Sequence, residues 1–432
     1  MTLVRREGAR TVSDSVRPSP GPDPGPGHGS GHGLGNGSSA TGEGLARRRR
    51  RRWTHGTALG VAVFVAAAAG TGWALYAKLS ANITPDERAA AELARYERER
   101  PTALVRGAQN ILLIGSDTRA GDGNREYGRD LGSERSDTTI LLHLAADRRD
   151  ATAVSLPRDL MVDIPGCRRQ DGSQGAPVFA MFNHAFQLGG SACTVRTVEK
   201  LTGIRVDHHM VVDFSGFKDM VDAVDGVRVC LKEPIDDKAA RLKLPAGPVT
   251  LDGEQALGFV RARESLGDGS DTERMERQQR FLGALVDKVQ SDDVLLNPVK
   301  LYPVLDAATS SLTTDPELAS LRGLYQLVRG LRDIPTEHVQ FLTVPRESYV
   351  YDSNRDQLVE PEAERLFARL RSDQPVVVAR DTAPRSPDGG PSGSPSGSPS
   401  GAPSRGGPQE SAQSPSPAPT FRGSTAAEHA CE

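Results

Sequence analysis

Charged residues crowd one stretch of the sequence that otherwise has the pattern of a folded core. Residues 258–281, GFVRARESLGDGSDTERMERQQRF, hold five arginines and five acids. If 271–290 is a helix, its apolar stripe turns polar in the first two turns, where Asp271, Arg274 and Gln278 face inward. Buried charges are unfavourable unless they are paired or bind a ligand. The pattern indicates a binding site or, alternatively, a surface ion pair between Asp271 and Arg274, three residues apart.

Further charged residues stand at the ends of apolar runs. They are Asp117, Arg135, Asp137 and Arg158, with Arg261 and Arg263 just before the predicted helix. Arginine forks match phosphate oxygens, and a pair of carboxylates suits a Mg²⁺ ion that also binds substrate phosphates. These residues therefore predict a phosphorylated or pyrophosphorylated ligand. Neither a GxxxxGK[ST] phosphate loop nor a GxSxG elbow occurs, which disfavours a nucleoside triphosphatase and a serine hydrolase.

Apolar runs of strand length alternate with helical segments. Residues 110–117, NILLIGSD, contain four consecutive apolar residues, as expected for a strand buried on both faces. Further strands are predicted at 137–145, 151–157, 208–214 and 337–345, and a helix between 182 and 203. This order predicts a mixed α/β fold. Neighbouring His208 and His209 would face opposite sides of their strand, so packing or surface roles are expected rather than shared metal binding.

A membrane-spanning helix is predicted near the N-terminus. Residues 57–77, TALGVAVFVAAAAGTGWALYA, carry no charge over about the length needed to cross a bilayer, and they follow six arginines at 47–52. Positively charged flanks stay in the cytoplasm, so the N-terminus is expected inside and the chain after about Lys78 outside. The alternative is a cleaved signal peptide, which the long leading segment disfavours. Beside an apolar span the arginines have a topological role, and no nucleic-acid partner is expected.

Composition sets the predicted domain boundaries, because Gly, Pro and Ser dominate both ends and leave too few apolar side chains for a core. The predicted segments are a disordered cytoplasmic tail (1–52), a transmembrane helix (53–77), a stalk (78–106), a folded domain (107–346), a C-terminal helix and domain edge (347–382) and a disordered Ser/Gly/Pro-rich tail (383–432). Cys167, Cys193 and Cys230 precede that tail. One disulfide among these three is expected in an oxidising exterior, with the pairing open.

Seven sequence blocks, in order, are similar to those of one known family. They are NILLIGSDTR (110–119), RSDTTILLHL (135–144), SLPRDL (155–160), FNHAF (182–186), TVEKLTG (197–203), VVDFSGFKDMVDAVDGV (211–227), and LDGEQALGFVRARE followed by SDTERMERQQRFLGAL (251–285). Together they resemble the LytR-CpsA-Psr family of cell-wall enzymes, and the residues within the blocks are similar to those of actinobacterial members. The resemblance covers about 110–290, with weaker similarity to about 343.

The resemblance implies a single extracytoplasmic α/β domain with a central mixed β-sheet flanked by helices, and a long apolar pocket for a prenyl chain. The implied activity is that of a membrane-anchored phosphotransferase in the cytoplasmic membrane. Its implied partners are a polyprenyl pyrophosphate-linked glycopolymer as donor and peptidoglycan as acceptor. The alternative is a protein that binds or hydrolyses such lipids, with a regulatory, attenuator-like role. The identity of the polymer is not specified by these motifs.

The resemblance also assigns roles to residues. Asp117 and Asp137 are implied as ligands of Mg²⁺ (or Mn²⁺). The implied catalytic set is Asp117, Arg135, Asp271 and Arg274, in which Asp271 orients an arginine or accepts a proton. The implied pyrophosphate-binding set is Arg119, Arg158, Arg261, Arg263 and Gln278, supported by Asp159 and Asn183.

Two positions depart from the family pattern. A polar insertion separates Asp117 from Asp137 and adds Asp122 and Asp130 as alternative metal ligands. Asp225 stands in DAVDGV where the family more often has glycine, and a turn is expected there.

Overall fold

The computed structural model describes residues 42–116, 136–169, 171–262, 271–291, 298–379 and 420–429. Within these ranges, residues 42–54, 56, 271, 291, 298–301 and 429 are described by their backbone only. The chain divides into two compact units, Met1–Ala69 and Gly70–Glu432. The larger unit contains the sheet and the site described below.

A long helix, α1 (Gly42–Asn82), contains the predicted membrane-spanning segment. Its part Thr57–Asn82 is long and apolar enough to cross a bilayer. Apolar side chains along it, such as those of Phe64 and Trp73, are exposed, so they require an apolar environment other than the protein core. The helix begins at Gly42, whereas the sequence predicted a disordered tail as far as residue 52, because the arginines are themselves good helix formers.

Strands and helices otherwise follow the predicted alternation. The strands are β1 (Thr84–Pro85), β2 (Gln109–Ser116), β3 (Ser136–Leu144), β4 (Ala151–Leu156), β5 (Met161–Ile164), β6 (Val178–Met181), β7 (His208–Val212), β8 (Val227–Leu231), β9 (Ile235–Asp237), β10 (Leu242–Leu244), β11 (Gly247–Leu251), β12 (Leu312–Thr314), β13 (Val339–Thr343), β14 (Arg346–Tyr349), β15 (Asp352–Leu358), β16 (Val377–Ala379) and β17 (Thr420–Thr425). The remaining helices are α2 (Glu87–Arg95), α3 (His184–Thr202), α4 (Phe214–Ala223), α5 (Gly253–Arg261), α6 (Asp271–Ser291), α7 (Pro298–Ser310), α8 (Leu321–Arg332) and α9 (Glu360–Arg371).

The central sheet has nine strands in the order β1-β12-β7-β2-β3-β4-β13-β17-β16. It is mixed: β3 runs antiparallel to its two neighbours β2 and β4, whereas β2 pairs with β7 and β4 pairs with β13 in parallel. The predicted mixed α/β fold is confirmed. Ser116 at the end of β2 pairs with Ser136 at the start of β3, so these two strand ends lie side by side.

Both faces of this sheet are covered. Leu112 and Ile114 of β2 pack into one hydrophobic cluster with side chains of α3 and α9, such as Val198 and Phe367. The alternate residue Ile111 packs on the other face with Leu327 of α8. Alternation along a strand sends neighbouring side chains to opposite faces, so an uninterrupted apolar run fits a strand buried on both sides.

The segment predicted as a stalk is part of the folded domain. Ala89 and Leu93 of α2 are buried in the first cluster, and β1 pairs with β12 at the edge of the sheet. Arg100 forms a largely buried ion pair with Glu199 of α3 at 2.9 Å. The prediction of a polar stalk over 78–106 was wrong because alternating charges concealed the two apolar positions that pack against α3.

The C-terminal boundary was also wrong. Residues 420–425 form β17, which lies between β13 and β16 within the central sheet, and Phe421 is buried. The Ser/Gly/Pro composition of 383–432 is dominated by its first three-quarters, and that average hid one short strand. Residues 380–419 connect β16 to β17 and lie outside the described residues.

Local contacts settle two questions that the sequence left open. Cys167 and Cys193 form a disulfide that joins the region after β5 to α3. Asp225 adopts a left-handed conformation (φ 61°) and is followed by Gly226 (φ 82°), in the turn before β8. A left-handed position favours glycine, and aspartate is one of the few other residues that adopt it readily, which explains the departure from the family pattern.

Candidate functional site

A large apolar cavity lies between one face of the central sheet and helices α4 to α8. Its volume is about 1210 Å³, above the roughly 300–1,000 Å³ common for small-molecule pockets. Apolar side chains from every surrounding helix line it, among them Phe214, Leu257, Phe281, Leu285 and Leu305. The rings of Phe217 and Phe281 pack 5.4 Å apart. Such a cavity suits a long hydrocarbon rather than a compact polar substrate.

Five of the residues singled out from the sequence line this cavity. They are Asp137, Arg158, Arg261, Arg274 and Gln278. They come from four places in the fold: the start of β3, the loop after β4, the end of α5 and the first turns of α6, which hold both Arg274 and Gln278. The structure therefore brings together charges that are up to 141 positions apart in the chain (278 minus 137).

Arg158 organises the part of the site next to the sheet. Its Nη1 donates to Asp137 Oδ1 at 3.0 Å, and its Nε donates to Asp159 Oδ2 at 3.4 Å. Arg355 lies 3.7 Å from the other oxygen of Asp159. Asp159 thus links two arginines. All of these side chains remain partly exposed, so the guanidinium can still reach a ligand.

Asn183 is hydrogen-bonded to the loop that contains Arg158. Its backbone N–H donates to the carbonyl of Arg158 at 3.1 Å. Its side chain is buried, and its Oδ1 has no hydrogen-bond partner among the described residues. A buried amide oxygen without a partner is rare and carries a free-energy cost of about 1–3 kcal/mol. The position fits the supporting role that the sequence predicts.

Helix α6 turns its charged first turns toward the cavity. The helix spans Asp271–Ser291, as predicted, and Arg274 and Gln278 are only 4% and 8% exposed. Gln278 Nε2 donates to the carbonyl of Val260 at 3.2 Å, which ties α6 to α5. The predicted inward orientation of Arg274 and Gln278 is confirmed. Phe281, Leu282 and Leu285 continue the same stripe along the cavity.

Two neighbours on α6 were missed by the sequence analysis. Arg277 donates to the carbonyl of Ala262, and burial lowers the pKa of its guanidinium below the usual range. Gln279 donates to Ser155 Oγ and Thr343 Oγ1, both at 3.1 Å, and so joins α6 to β4 and β13. Both side chains are buried on a face that the single apolar stripe did not include. Only contacts with distant strands reveal that this helix is buried on more than one side.

Arg261 is held by an aromatic ring. Its guanidinium carbon lies 4.5 Å from the centre of the Phe214 ring at the start of α4. A cation over an aromatic face is attracted by about 0.5–2 kcal/mol, depending on solvation. The contact orients the guanidinium at the wall of the cavity.

Two further carboxylates line the cavity and were not identified from the sequence. Asp213 caps α4 and accepts from the backbone N–H of Gly216 at 2.8 Å. Asp237 is 1% exposed and accepts from the backbone N–H of Ala240 at 2.8 Å. Aspartate is a common N-cap residue, so Asp213 in the sequence indicates the start of a helix and does not by itself indicate a binding site.

The remaining predicted site residues stay predictions. Asp117, Arg119, Arg135 and Arg263 lie outside the described residues, as do the alternative metal ligands Asp122 and Asp130. Asp271 is described by its backbone only, as the first residue of α6.

The described oxygen donors fit a hard divalent cation. Asp137 uses one carboxylate oxygen for Arg158, which leaves the second available. Thr138, the next residue of β3, also lines the cavity and carries a hydroxyl group. Carboxylate and hydroxyl oxygens are the ligand type that Mg²⁺ prefers. The chemistry of this donor set is compatible with the expected ion.

The two neighbouring histidines of β7 contact different carboxylates. His208 Nδ1 lies 3.2 Å from Asp315 Oδ1, whereas His209 Nε2 lies 3.3 Å from Asp86 Oδ2. The two rings therefore have different partners, on opposite sides of β7. Neither histidine lines the cavity.

Taken together, the fold and the site define an α/β protein whose arginine-rich cavity suits an amphiphile with a phosphate head and a long apolar tail. A family model described as the LytR_cpsA_psr family matches residues 79–372. This match covers more than half of the chain, and the chain belongs to that family. The resemblance stated from the sequence blocks is confirmed, and the match begins within the segment that had been predicted as a stalk.

Curated relatives support the assignment. The probable cell wall biosynthesis protein LcpB of Corynebacterium glutamicum is 36% identical over 271 residues, which are 61% of this chain and 61% of that protein. The polyisoprenyl-teichoic acid–peptidoglycan teichoic acid transferase TagT of Bacillus subtilis is 30% identical over 265 residues, 59% of this chain and 75% of that protein. The chain thus spans 61% of the length of LcpB.

Solved structures share the fold. The LytR-Csp2A-Psr enzyme from Actinomyces oris has a TM-score of 0.50 at 22% identity, covering 63% of this chain and 93% of that one. Protein gbs0355 from Streptococcus agalactiae has a TM-score of 0.51 at 24% identity, covering 62% and 87%. At these identities the likeness concerns the fold alone.

Proposed function

We propose that this protein is a membrane-anchored phosphotransferase that moves a glycopolymer from a polyprenyl pyrophosphate carrier to peptidoglycan. The observation that carries the proposal is one cavity that combines about 1210 Å³ of apolar space with Arg158, Arg261 and Arg274. A prenyl chain fits the apolar part, and guanidinium groups fit a pyrophosphate. The relative LcpB is named as a probable cell wall biosynthesis protein and TagT as a teichoic acid transferase, and both names support the same class of reaction.

In the proposed reaction, a hydroxyl oxygen of the peptidoglycan glycan attacks the phosphorus that carries the glycopolymer. A new phosphorus–oxygen bond forms to the acceptor, and the bond to the bridging pyrophosphate oxygen breaks. Polyprenyl phosphate leaves, and the acceptor hydroxyl loses its proton. Phosphoryl transfer depends mainly on positioning and charge neutralisation, which is what clustered arginines provide.

In this proposal the described residues contact the pyrophosphate from two sides of the cavity. Arg158, held by Asp137 and Asp159, is fixed next to the sheet, whereas Arg274 and Gln278 approach from α6. Asp137, together with Asp117 by family resemblance, would hold Mg²⁺ (or Mn²⁺). When bound, that ion would neutralise phosphate charge. Asp271 remains the proposed proton acceptor or arginine-orienting group.

The proposed topology follows from the sequence around α1. Six arginines precede the apolar segment Thr57–Asn82, and positive flanks favour the cytoplasmic side. We infer a single span with the N-terminus inside and the folded domain outside. In that topology the enzyme and its lipid donor are confined to the same surface.

The proposal is tested with the purified full chain in nanodiscs, a polyprenyl pyrophosphate oligosaccharide, peptidoglycan oligomers and Mg²⁺. Arg274→Gln is compared with Arg280→Gln, because Arg280 lies on the same helix but is exposed and pairs with Glu276. We expect a covalent glycan product from the wild type and Arg280→Gln, and little from Arg274→Gln.

Other outcomes contradict the proposal in different ways. Lipid binding without product from any acceptor would identify a binding protein. Release of free phosphorylated oligosaccharide alone would identify a pyrophosphatase. Equal activity of the two glutamine variants would mean that Arg274 is not part of the phosphate site.

A further inference from the structure

Helix α8 presents an unusual set of exposed residues at the edge of the apolar cavity. Arg322, Tyr325, Val328, Arg329 and Arg332 all line the cavity, and all five are exposed. At about 100° per residue they fall within an arc of roughly 120° on one side of the helix. The face that borders the opening of the cavity is therefore also a face open to the surroundings.

The opposite side of α8 fixes the helix to the domain. Leu327 is buried, and Leu324 and Leu331 pack against the same hydrophobic cluster, which includes Ile111 of the central strand β2. Ser320 caps the helix, and its hydroxyl accepts from the backbone N–H of Gly323 at 3.0 Å. The exposed face is thus held in place by core packing and does not become buried by a small rotation.

The charges on this face have no internal explanation. No ion-pair or hydrogen-bond partner is found for Arg322, Arg329 or Arg332 within the part of the chain that the structure describes. The helix sequence LRGLYQLVRGLR contains no acidic residue. Between the arginines, Tyr325 and Val328 expose 64% and 46% of their surface. A basic helix with exposed apolar and aromatic side chains is typical of a membrane surface.

The position of α8 relative to the phosphate site supports this interpretation. Along α6 the cavity lining changes from Arg274 and Gln278 to Leu282 and Leu285, over eleven residues or about 16 Å. Leu282 belongs to the same cluster as the inner face of α8. The inner face of α8 therefore packs beside the apolar part of the cavity, which follows Arg274 and Gln278 along α6.

A residue of the helix that contains the candidate membrane span lines the same cavity. Tyr76, in the last turns of α1, is one of the lining residues. Lys78, two positions on, donates to Tyr302 Oη and Asp306 Oδ2 of α7, both at 3.0 Å. The cavity thus adjoins the point where the chain enters the domain from its apolar segment.

We propose that α8 is a second membrane contact, which rests on the headgroups of anionic phospholipids at the open apolar end of the cavity. Arg322, Arg329 and Arg332 bind lipid phosphates, and Tyr325 and Val328 enter the interface between headgroups and acyl chains. Basic residues close to an anionic lipid surface are attracted to it. The contact does not depend on the transfer reaction, and it places the cavity opening where a prenyl chain can enter without crossing water.

The chain offers a clean optical test because it has only two tryptophans, Trp53 and Trp73. With both replaced by phenylalanine, Tyr325→Trp provides a single reporter on α8. The full chain is reconstituted in vesicles of phosphatidylcholine and phosphatidylglycerol whose acyl chains are brominated. We expect bromine to quench the emission of the reporter, and high salt to weaken the quenching because it screens the charges.

Two matched variants control the measurement. Tyr351→Trp places the reporter at a tyrosine on the β14–β15 hairpin that is more exposed than Tyr325 and does not line the cavity, and no quenching is expected there. Arg322→Gln, Arg329→Gln and Arg332→Gln, combined on the Tyr325→Trp background, should reduce quenching to the level of the Tyr351 reporter. Circular dichroism confirms that each variant is folded.

Three outcomes would overturn the proposal. They are an unquenched Tyr325 reporter, quenching of the same size at Tyr351, and quenching that persists after removal of the three arginines. An unquenched reporter whose emission instead shifts on addition of soluble poly(glycerol phosphate) would assign the helix to an acidic polymer rather than to the membrane.

Discussion

Arg158 Nη1 donates to Asp137 Oδ1 at 3.0 Å and so joins the loop after β4 to the start of the neighbouring strand β3. The pair places a fixed positive charge beside a carboxylate at the wall of an apolar cavity. Because the arginine also contacts Asp159, its guanidinium is oriented from two sides. A pyrophosphate that binds here would meet a preorganised group rather than a mobile one.

Replacing Arg158 with lysine should impair transfer although it preserves the charge. Lysine cannot form the two parallel bonds of a guanidinium, and it cannot span Asp137 and Asp159 together. We expect kcat to fall by about 10²- to 10³-fold, as for loss of one preorganised donor. Arg355→Lys is the matched control, since Arg355 contacts Asp159 but does not line the cavity. An equal fall in kcat in both variants would mean that the contact with Asp159, rather than a contact with the phosphate, causes the effect.

Filling the apolar cavity should discriminate between lipid donors. Leu285→Trp reduces the space beyond Phe281, and overpacking costs about 1–3 kcal/mol. We expect KM to rise about tenfold for a long polyprenyl donor, and to stay unchanged for a donor too short to reach Leu285. Val289→Trp, one turn further along α6 and outside the cavity lining, should have neither effect. A similar rise for short and long donors would show that the prenyl chain lies elsewhere.

Removing Arg100 should destabilise the domain strongly. Glu199 is buried and accepts from Arg100 Nε and Nη2 and from the backbone N–H of Val206. Arg100→Met leaves a buried carboxylate without its counterion, and we expect the free energy of unfolding to fall by about 3–5 kcal/mol. Adding Glu199→Gln should restore part of that loss.

Denaturant unfolding by circular dichroism measures both variants. Arg98→Met, at an exposed position two residues earlier, should change stability by less than about 0.5 kcal/mol. If Arg100→Met is as mild as this control, α2 and the chain that follows it do not contribute to the fold as the ion pair indicates.

Truncating Phe421 tests the place of β17 in the sheet. The ring is buried and joins the same hydrophobic cluster as Leu112 and Phe367. Phe421→Ala should therefore lower the free energy of unfolding by about 3–5 kcal/mol. Arg422→Ala, which removes only an exposed ion pair with Glu276, should cost less than about 1 kcal/mol. A mild effect of Phe421→Ala would mean that the strand is dispensable.

Acid should weaken one contact near the start of the domain. Burial alone would raise the pKa of Asp86, but hydrogen bonds from His209, Ser191 and the backbone N–H of Ala89 outweigh it and lower the pKa to about 2. Since this value is below that of the unfolded chain, the carboxylate stabilises the fold above about pH 4, and the contribution is lost as the pH falls toward 2. The shift corresponds to roughly 2 kcal/mol.

Unfolding of the wild type and Asp86→Asn at several pH values measures this contribution. The difference in unfolding free energy should be near its full size at pH 6 and shrink steadily between pH 4 and pH 2. A difference that is independent of pH would show that the side chain acts through packing rather than through its charge.

Local pattern was sufficient for the parts of the fold that depend on neighbours in sequence. The four consecutive apolar residues of β2 predicted a strand covered on both faces, and the 3.6-residue period of α6 predicted the inward orientation of Arg274 and Gln278. Both inferences follow from the geometry of one element. The mixed sheet followed in turn from the order of such elements.

Long-range contacts were not predictable in the same way. The positions of Asp237 and of the arginines of α8 become informative only in the folded domain, where they line one cavity together with α4 and α6. The buried apolar positions of α2 were concealed by the charges between them. Composition averaged over a long Ser/Gly/Pro stretch likewise concealed the six residues of β17.

The insertion of β17 between β13 and β16 changes what a break in the polypeptide would do. Residues 380–419 join two strands that are both hydrogen-bonded within one sheet. A protease that cut this connection would leave a nicked molecule of two fragments, with the short C-terminal one retained as an interior strand. Conversely, a version of the protein ended at residue 382 would lack the strand that joins the edge strand β16 to the rest of the sheet, and a synthetic peptide covering 420–429 is the natural reagent to complement it.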